Sequence, residues 1–190
     1  NIHPWMMGQC CSRALRFMRN EHLLRLIRTI PDVPKPGIMF RDITPLLASP
    51  EGFAATVQEL VAVSEGLRPT KVIGVEARGF ILAAPVAQQL GAGFVPVRKA
   101  GKLPWQVVGQ SYSLEYGTDR LEMHQDAVTQ DDRVLIVDDV LATGGTAAAT
   151  IRLVESCGAT VVGLVFLIEL EALNGRAALG GHSVQSLLSL

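Results

Sequence analysis

Val134-Leu135-Ile136-Val137-Asp138-Asp139-Val140-Leu141-Ala142-Thr143-Gly144-Gly145-Thr146 joins an apolar run to two carboxylates and then to a loop of very small residues. Four consecutive apolar residues, Val134, Leu135, Ile136 and Val137, predict a strand covered on both faces, as in a parallel sheet. Ala147, Ala148, Ala149, Ile151, Leu153 and Val154 predict a helix, with Gly158 just past its end. Between them, Ala142, Thr143, Gly144, Gly145 and Thr146 can turn tightly enough for several backbone N–H groups to face one anion at the helix N-terminus, where the dipole also favours negative charge. Ionised carboxylates only accept hydrogen bonds. Asp138 and Asp139 therefore suit the hydroxyls of a ribose, or the water shell of a Mg²⁺ ion beside it. The run reads as a grip for a sugar phosphate. A Walker loop needs Lys after its last glycine and a dinucleotide fingerprint needs G-x-G-x-x-G, and neither is present. An ordinary strand-to-helix turn with acidic residues at the sheet edge is the other reading.

The rest of the chain alternates in the same way. Leu23, Leu26, Ile27 and Ile30 recur at helical spacing, with Arg25 and Arg28 facing away, and predict an amphipathic helix ending at Pro31. Residues 31–37 read as stiff loop. A second helix starts at Ser49-Pro50-Glu51, with cap, first-turn proline and acidic first turn, and buries Phe53, Val57, Leu60 and Val61. Residues 71–75 predict a strand, 80–90 an alanine-rich helix closed by Gly91, and 94–97 a strand whose Pro96 argues for an edge or a strand beginning. Residues 160–170 predict a long strand and 183–188 a closing one. Alternating strands and helices imply a parallel sheet. Residues 99–127 break the rhythm: Ser111-Tyr112-Ser113-Leu114-Glu115-Tyr116 and Leu121-Glu122-Met123-His124 flank Gly117-Thr118-Asp119-Arg120, which predicts two extended arms and a turn. A mobile lid that excludes water over bound substrate is the simplest role for them.

A second loop follows residues 72–75. In Glu76-Ala77-Arg78-Gly79-Phe80 a guanidinium sits beside glycine at a strand's carboxyl end, where its donors and nearby N–H groups can face a doubly anionic group together. Loops from adjacent parallel strands share one crevice, so this one could hold a pyrophosphate beside the phosphate loop. Arg98, Lys99 and Lys102 offer further cations for a leaving group, although a charge run is more often a solvated face.

With 190 residues the chain fits one domain, expected over residues 23–190 after a flexible tail at 1–22. Seventeen basic against eighteen acidic residues leave a net charge of −1, so no global charge points to nucleic acid or a membrane surface. Hydrophobic content is 48% and mean hydropathy +0.30, yet the longest apolar stretch, residues 161–168, is far too short to cross a bilayer. Cys10, Cys11 and Cys157 make no disulfide framework and no zinc spacing, which fits a reducing cytoplasm. His3, His22, His124 and His182 are scattered. Asn1-Ile2-His3-Pro4-Trp5 reads as a leftover expression leader, with translation beginning at Met6 or Met7. A start at Met7 would match a myristoylation pattern at Gly8, with Cys10 and Cys11 as palmitoylation candidates and Arg13, Arg16 and Arg19 adding basic charge.

The opening run resembles the 5-phosphoribosyl 1-pyrophosphate (PRPP) signature of the type I phosphoribosyltransferases. Three further segments resemble the adenine branch of that family. Residues 36–46, Pro-Gly-Ile-Met-Phe-Arg-Asp-Ile-Thr-Pro-Leu, look like its base-binding hood. Glu76 to Phe80 looks like its pyrophosphate loop, although Asp-Ser is the expected pair before the arginine. Residues 98–104 followed by 111–117 look like its catalytic lid. The resemblance implies a parallel α/β sheet with helices on both faces, a small N-terminal hood and a flexible β-arm lid. It implies Mg²⁺-dependent transfer of 5-phosphoribose from PRPP to N9 of adenine, giving AMP and pyrophosphate, by a homodimer in which Arg98 could reach a neighbour's site.

Carried over residue by residue, Asp138 and Asp139 take the ribose, and Ala142, Thr143, Gly144, Gly145 and Thr146 take the 5′-phosphate. Glu76, Ala77, Arg98 and Lys99 line PRPP, while Arg78, Lys102 and Mg²⁺ stabilise the departing pyrophosphate, the metal being held through PRPP and water. Glu115 on the lid assists the N9 proton or orders the base. The backbone at Met39 and Arg41 reads adenine, with Phe40 against one ring face and Leu170 against the other. An enzyme for xanthine, hypoxanthine or guanine is the near alternative. A PRPP-sensing regulator that binds nucleic acid is the distant one, disfavoured by the short segment before the hood and by the absence of a basic face.

Overall fold

The computed structural model describes residues 20–113 and 118–190. The expected lipidation positions, and Glu115 with its neighbours in 114–117, lie outside the described residues. The chain divides into two compact units between Gln58 and Glu59.

In the first unit residues 20–24 are helical. Strand β1 (Arg28–Pro31) then pairs antiparallel with β2 (Met39–Asp42), placing Thr29 opposite Arg41 and Ile30 opposite Phe40. This corrects the sequence expectation of a helix running to Pro31. The helical turn ends with Leu26 N–H on the Leu23 carbonyl and Ile27 N–H on Leu24. Beyond it, a residue before proline is pushed out of the α region and Thr29 and Ile30 are β-branched, so the chain extends once β2 supplies a partner. Between the strands the predicted loop forms, with Gly37 at φ +87° donating to Asp32 Oδ1 at 2.7 Å. Helix α1 spans Thr44–Ala48. Helix α2 (Pro50–Ala62) starts as predicted: Ser49 Oγ accepts the Gly52 N–H at 3.0 Å, and Glu51 lies in the first turn. Val57, Leu60 and Val61 are buried, while Phe53 is half-buried.

The second unit is built on seven strands in the order β5-β6-β4-β3-β7-β8-β9. Here β3 is Lys71–Val75, β4 Gly93–Lys99, β5 Val107–Ser113, β6 Thr118–His124, β7 Arg133–Leu141, β8 Thr160–Glu169 and β9 Val184–Ser189. The five strands β4, β3, β7, β8 and β9 run parallel. In addition, β6 joins β4 antiparallel and β5 joins β6. Val134, Leu135, Ile136 and Val137 are all 0% exposed. Since successive strand residues point to opposite faces, both faces must be covered. Helix α4 (Gly145–Ser156) covers the face of Ile73, Val134, Ile136, Leu164 and Phe166, with which its Ala148, Ile151 and Leu153 share one core. Helix α3 (Arg78–Leu90) covers the other, where a Cβ on Gly74 would stand 2.8 Å from Ala83 Cβ. The missing side chain lets that helix approach the strand closely.

Two boundaries moved toward the site. Helix α3 begins at Arg78 rather than Phe80, and β7 runs four residues past Val137, because Phe166, Ile168 and Glu169 of β8 continue the ladder to Leu141. Pairing of β3 with β7 stops at Gly74 and Val137, so Asp138 and Asp139 lie in a strand that has lost its neighbour on one side. Pro96 falls in the half of β4 that β6 leaves unpaired, an edge-like place as expected. Residues 118–120, expected in a turn, are strand. The arm packs into the sheet, with Leu121 and Met123 buried and Tyr112 against the core.

Candidate active site

Parallel strands deliver their following loops to one edge. At that edge β7 presents Asp138 and Asp139, β3 presents Glu76 to Arg78, and β4 presents Arg98 and Lys99. Arg78 Nε lies 2.8 Å from Asp139 Oδ2, whose side chain is 7% exposed. That oxygen has no well-aimed hydrogen bond, so the contact is an ionic one. Asp138 Oδ1 accepts the backbone N–H of Asp139 at 2.9 Å. Burial, followed by the charge of Asp139, pushes the Asp138 carboxyl well above the usual carboxylate range. Burial also raises Asp139, against the opposing pull of Arg78. A Cβ on Gly79 would stand 2.7 Å from Asp138 Oδ1, so the first turn of α3 packs directly on this carboxylate.

The phosphate-loop candidates follow at once. Gly144, at φ +85°, caps α4, whose first residues are Gly145 and Thr146. The left-handed conformation is open to glycine at little cost and lets the chain turn from strand into helix within residues 142–144. Ala142 is half-buried and Thr143 exposed. The Tyr112 hydroxyl, from β5, donates to Asp119 Oδ2 at 3.3 Å; burial raises its pKa, and Thr146 beside it opposes that rise. The β5–β6 arm thus reaches the candidate phosphate loop, a proximity that sequence spacing does not announce.

Basic residues at the edge are organised by acids. Glu76 Oε2 accepts from Arg98 Nε at 3.2 Å and from the Lys99 N–H at 3.1 Å, and Oε1 from Arg98 Nη2 at 3.3 Å. These bonds, led by Arg98, hold its carboxyl below the ordinary value. Arg98 Nη1 also donates to the Lys102 carbonyl at 3.1 Å. Glu122 Oε2 accepts the Gly101 N–H at 2.9 Å. Lys99 turns its ammonium to Asp119, 3.3 Å away, while the Lys102 side chain is exposed. The peptide joining Glu76 and Ala77 is cis, and Ala77 is exposed.

Of the expected base contacts, Leu170 directly follows β8 and donates its N–H to the Leu141 carbonyl at 2.9 Å, one residue before the phosphate loop. In the first unit Met39 is 49% exposed, Phe40 and Arg41 are half-buried, and Arg41 donates to the Thr29 hydroxyl. Residues two apart on a strand turn their N–H and C=O to the same edge. Met39 and Arg41 share one, and within its two-stranded sheet β2 has a single paired edge.

Among the described residues no group of three or more His, Cys, Asp or Glu converges on a point. A divalent cation therefore fits this edge only where a ligand brings most of its oxygens, with buried Asp138 and Asp139 as nearby acceptors. No described helix is long and apolar enough to cross a membrane.

A parallel sheet whose carboxyl edge joins paired acids, a glycine-capped turn and an arginine loop is the arrangement expected of the phosphoribosyltransferase class. The family model described as phosphoribosyl transferase domain matches residues 51–178. The adenine phosphoribosyltransferase of Acidothermus cellulolyticus is 60% identical over 162 residues, covering 85% of this chain and 92% of that protein. The solved structure of adenine phosphoribosyltransferase from Thermoanaerobacter pseudethanolicus superimposes with a TM-score of 0.88 at 49% identity, covering 90% of this chain and 99% of that one. That of Saccharomyces cerevisiae, complexed with an imino-altritol bisphosphate and adenine, gives 0.85 at 37% identity, over 88% and 97%. The chain belongs to the adenine phosphoribosyltransferases.

Proposed function

We propose that this chain transfers 5-phosphoribose from PRPP to N9 of adenine, releasing AMP and pyrophosphate, with Mg²⁺ bound through PRPP and water beside Asp138 and Asp139. The observation that carries the reading is the meeting of Asp139 with Arg78 immediately before the glycine-capped turn of α4. Ribose hydroxyls are donors that two buried acceptors can satisfy, and the anionic groups on either side of the sugar then fall to the two loops.

The transfer passes through an oxocarbenium-like ribose, so the protein must hold N9 in line with C1′ and stabilise the leaving group. Residues 142–146 anchor the 5′-phosphate, and Asp138 and Asp139 orient the ring. Arg78 and exposed Lys102 meet the pyrophosphate with donors from Ala77 onward, while Glu76 holds Arg98 and Lys99 in place along the same edge. Mg²⁺, when bound, supplies charge neutralisation for the departing pyrophosphate. Glu115 assists the N9 proton or orders the base. Within the first unit, backbone groups of Met39 and Arg41 read the amine side of adenine, and Phe40 lies against its ring. An N–H and a C=O so placed would meet a 6-oxopurine with the wrong polarity.

We further propose a homodimer, supported by the apolar surface left by Ile81, 42% exposed, and Phe94, 37% exposed. Light scattering reads its mass directly. A reducing cytoplasm suits the free thiol of Cys157. The deciding experiment supplies PRPP and Mg²⁺ with each purine base and follows pyrophosphate release. Adenine is expected to be used at least about a hundredfold more efficiently than hypoxanthine or guanine. Comparable use of all bases would remove the adenine assignment, and omission of Mg²⁺ without loss of rate would remove the metal.

A further inference from the structure

Behind the phosphate loop a short 3₁₀ segment, Gly175–Leu179, lies backbone to backbone against it. A Cβ on Gly175 would collide with the Ala142 carbonyl oxygen and stand 3.0 Å from the Leu141 side chain. A Cβ on Gly144 would collide in turn with the Gly175 carbonyl oxygen and stand 3.0 Å from Ala178 Cβ. The Ala142 carbonyl is thus turned toward Gly175. Across a planar trans peptide the C=O and the next N–H point in opposite directions. Holding that carbonyl against Gly175 therefore turns the Thr143 N–H away from the segment.

What keeps Gly175 in place is the residue after it. Arg176 Nε and Nη2 donate to the two oxygens of Glu169, each at 2.7 Å, and Nη1 donates to the Val184 carbonyl at 2.8 Å. The Ser186 hydroxyl adds a bond to Glu169 Oε2 at 2.8 Å. Glu169 is 4% exposed and Ser186 6%. Glu169 sits opposite Leu141 at the end of β8, and Val184 and Ser186 belong to β9. The fork-to-fork geometry fixes the guanidinium plane as well as its position. A buried ion pair is weak evidence for stability, because apolar side chains of similar volume often serve as well. Its use here is geometric.

We propose that Gly175 and Arg176, fixed by Glu169 and Ser186, are positioning residues that set the backbone of residues 142–144 for the 5′-phosphate. The inference rests on reading residues 142–146 as the phosphate loop. In this reading the four act without contacting substrate. They act through the orientation of one peptide group, for which a displacement of an ångström is costly.

The test titrates ribose 5-phosphate into wild type and the variants Arg176→Met, Arg176→Lys, Ser186→Ala and Gly145→Val by calorimetry, with melting temperatures and steady-state kinetics alongside. Arg176→Met is expected to weaken ribose 5-phosphate binding by about tenfold or more and to raise KM for PRPP in step, leaving KM for adenine at saturating PRPP within about twofold. Lysine should restore part of the loss. Ser186→Ala, which removes the bond to Glu169 and the longer one accepted from Arg176 Nη2 at 3.4 Å, should weaken binding by a smaller factor in the same direction and decides the matter if Arg176→Met does not fold. A folded Arg176→Met or Ser186→Ala with wild-type ribose 5-phosphate affinity overturns the inference. So does an equal rise in both KM values, the mark of a general loosening. If Gly145→Val also keeps wild-type affinity, the phosphate-loop reading falls too. If Gly145→Val loses binding while the others do not, only the positioning role falls.

Discussion

Arg78 and Asp139 meet at 2.8 Å across the carboxyl ends of β3 and β7. Neither residue is near the other in sequence, and the pair joins the loop assigned to pyrophosphate with the acids assigned to ribose. The guanidinium is the nearest counter-charge to a buried carboxylate and also the cation proposed for the leaving group. On that proposal, substrate binding redistributes one charge between two tasks.

Arg78→Met is therefore expected to lower kcat/KM for PRPP by about 10²-fold or more, since a cation aimed at a developing anion is lost. Its melting temperature should also fall at neutral pH, because Asp139 stays buried without its counter-charge. That loss should shrink as the pH is lowered and Asp139 protonates. Steady-state kinetics and thermal melts at several pH values read both effects.

Asp138 tests the opposite balance of stability and function. A carboxyl whose pKa is raised on folding binds more protons in the native than in the unfolded state, so stability falls as pH rises from about 3.8 through the raised value. Asp138→Asn removes that penalty, and its amide oxygen can still accept the Asp139 N–H. The variant should melt about 2–4 °C higher than wild type at pH 7–8, with the gain vanishing near pH 4, while PRPP turnover is lost. An unchanged melting temperature at pH 8 would mean that the carboxylate is not strained by burial.

Glu76 has the reverse sign. Its carboxyl is held down by Arg98, so its contribution is present above about 4.5 and is lost as pH falls through the lowered value. Glu76→Gln should cost at most about 1 kcal/mol at neutral pH, the partly exposed pair being screened. Urea melts should show the two proteins converging below pH 4.

Gly145→Val should abolish PRPP binding in a folded protein, since a branched side chain at the start of α4 bars close approach of an anion to the backbone. Calorimetry with PRPP, beside a circular dichroism spectrum matching wild type, checks this.

Glu115→Gln keeps the shape of the side chain and removes its charge. If the carboxylate assists the N9 proton, turnover should fall by roughly 10²-fold while PRPP affinity persists. A wild-type kcat would reduce Glu115 to a covering role.

Much of this protein could be read along the chain because the signals are local. Four apolar residues before Asp138, bounded by acids and a small-residue loop, suited a strand covered on both sides. Ser49-Pro50-Glu51 is a helix start by its own hydrogen-bonding chemistry, and Gly91 a helix stop by its conformational freedom. The acids and small residues at 138–146 pointed to a sugar phosphate through their donor and acceptor inventory, and the same inventory carries the proposed function. Local signals misled where a partner strand decided. Leu23, Leu26, Ile27 and Ile30 carry apolar spacing that suits a helix, yet residues 28–31 extend to pair with Met39–Asp42. In the same way β7 runs on through its two acids because β8 offers a ladder as far as Glu169.

Tertiary structure alone decided what surrounds the acids. The order β4-β3-β7-β8 brought Arg78 to Asp139 and made the paired carboxylates expensive to ionise. Packing of β5 on α4 placed Tyr112 on Thr146. The bare backbone of Gly175 behind Ala142, and the Arg176–Glu169–Ser186 cluster that holds it, join residues that are distant in the chain and individually unremarkable. Residue identity set which groups could bind a sugar phosphate, since hydrogen-bonding capacity belongs to the side chain and the peptide. Their aim and their charge depend on distances between separate segments, and only the folded sheet determines those.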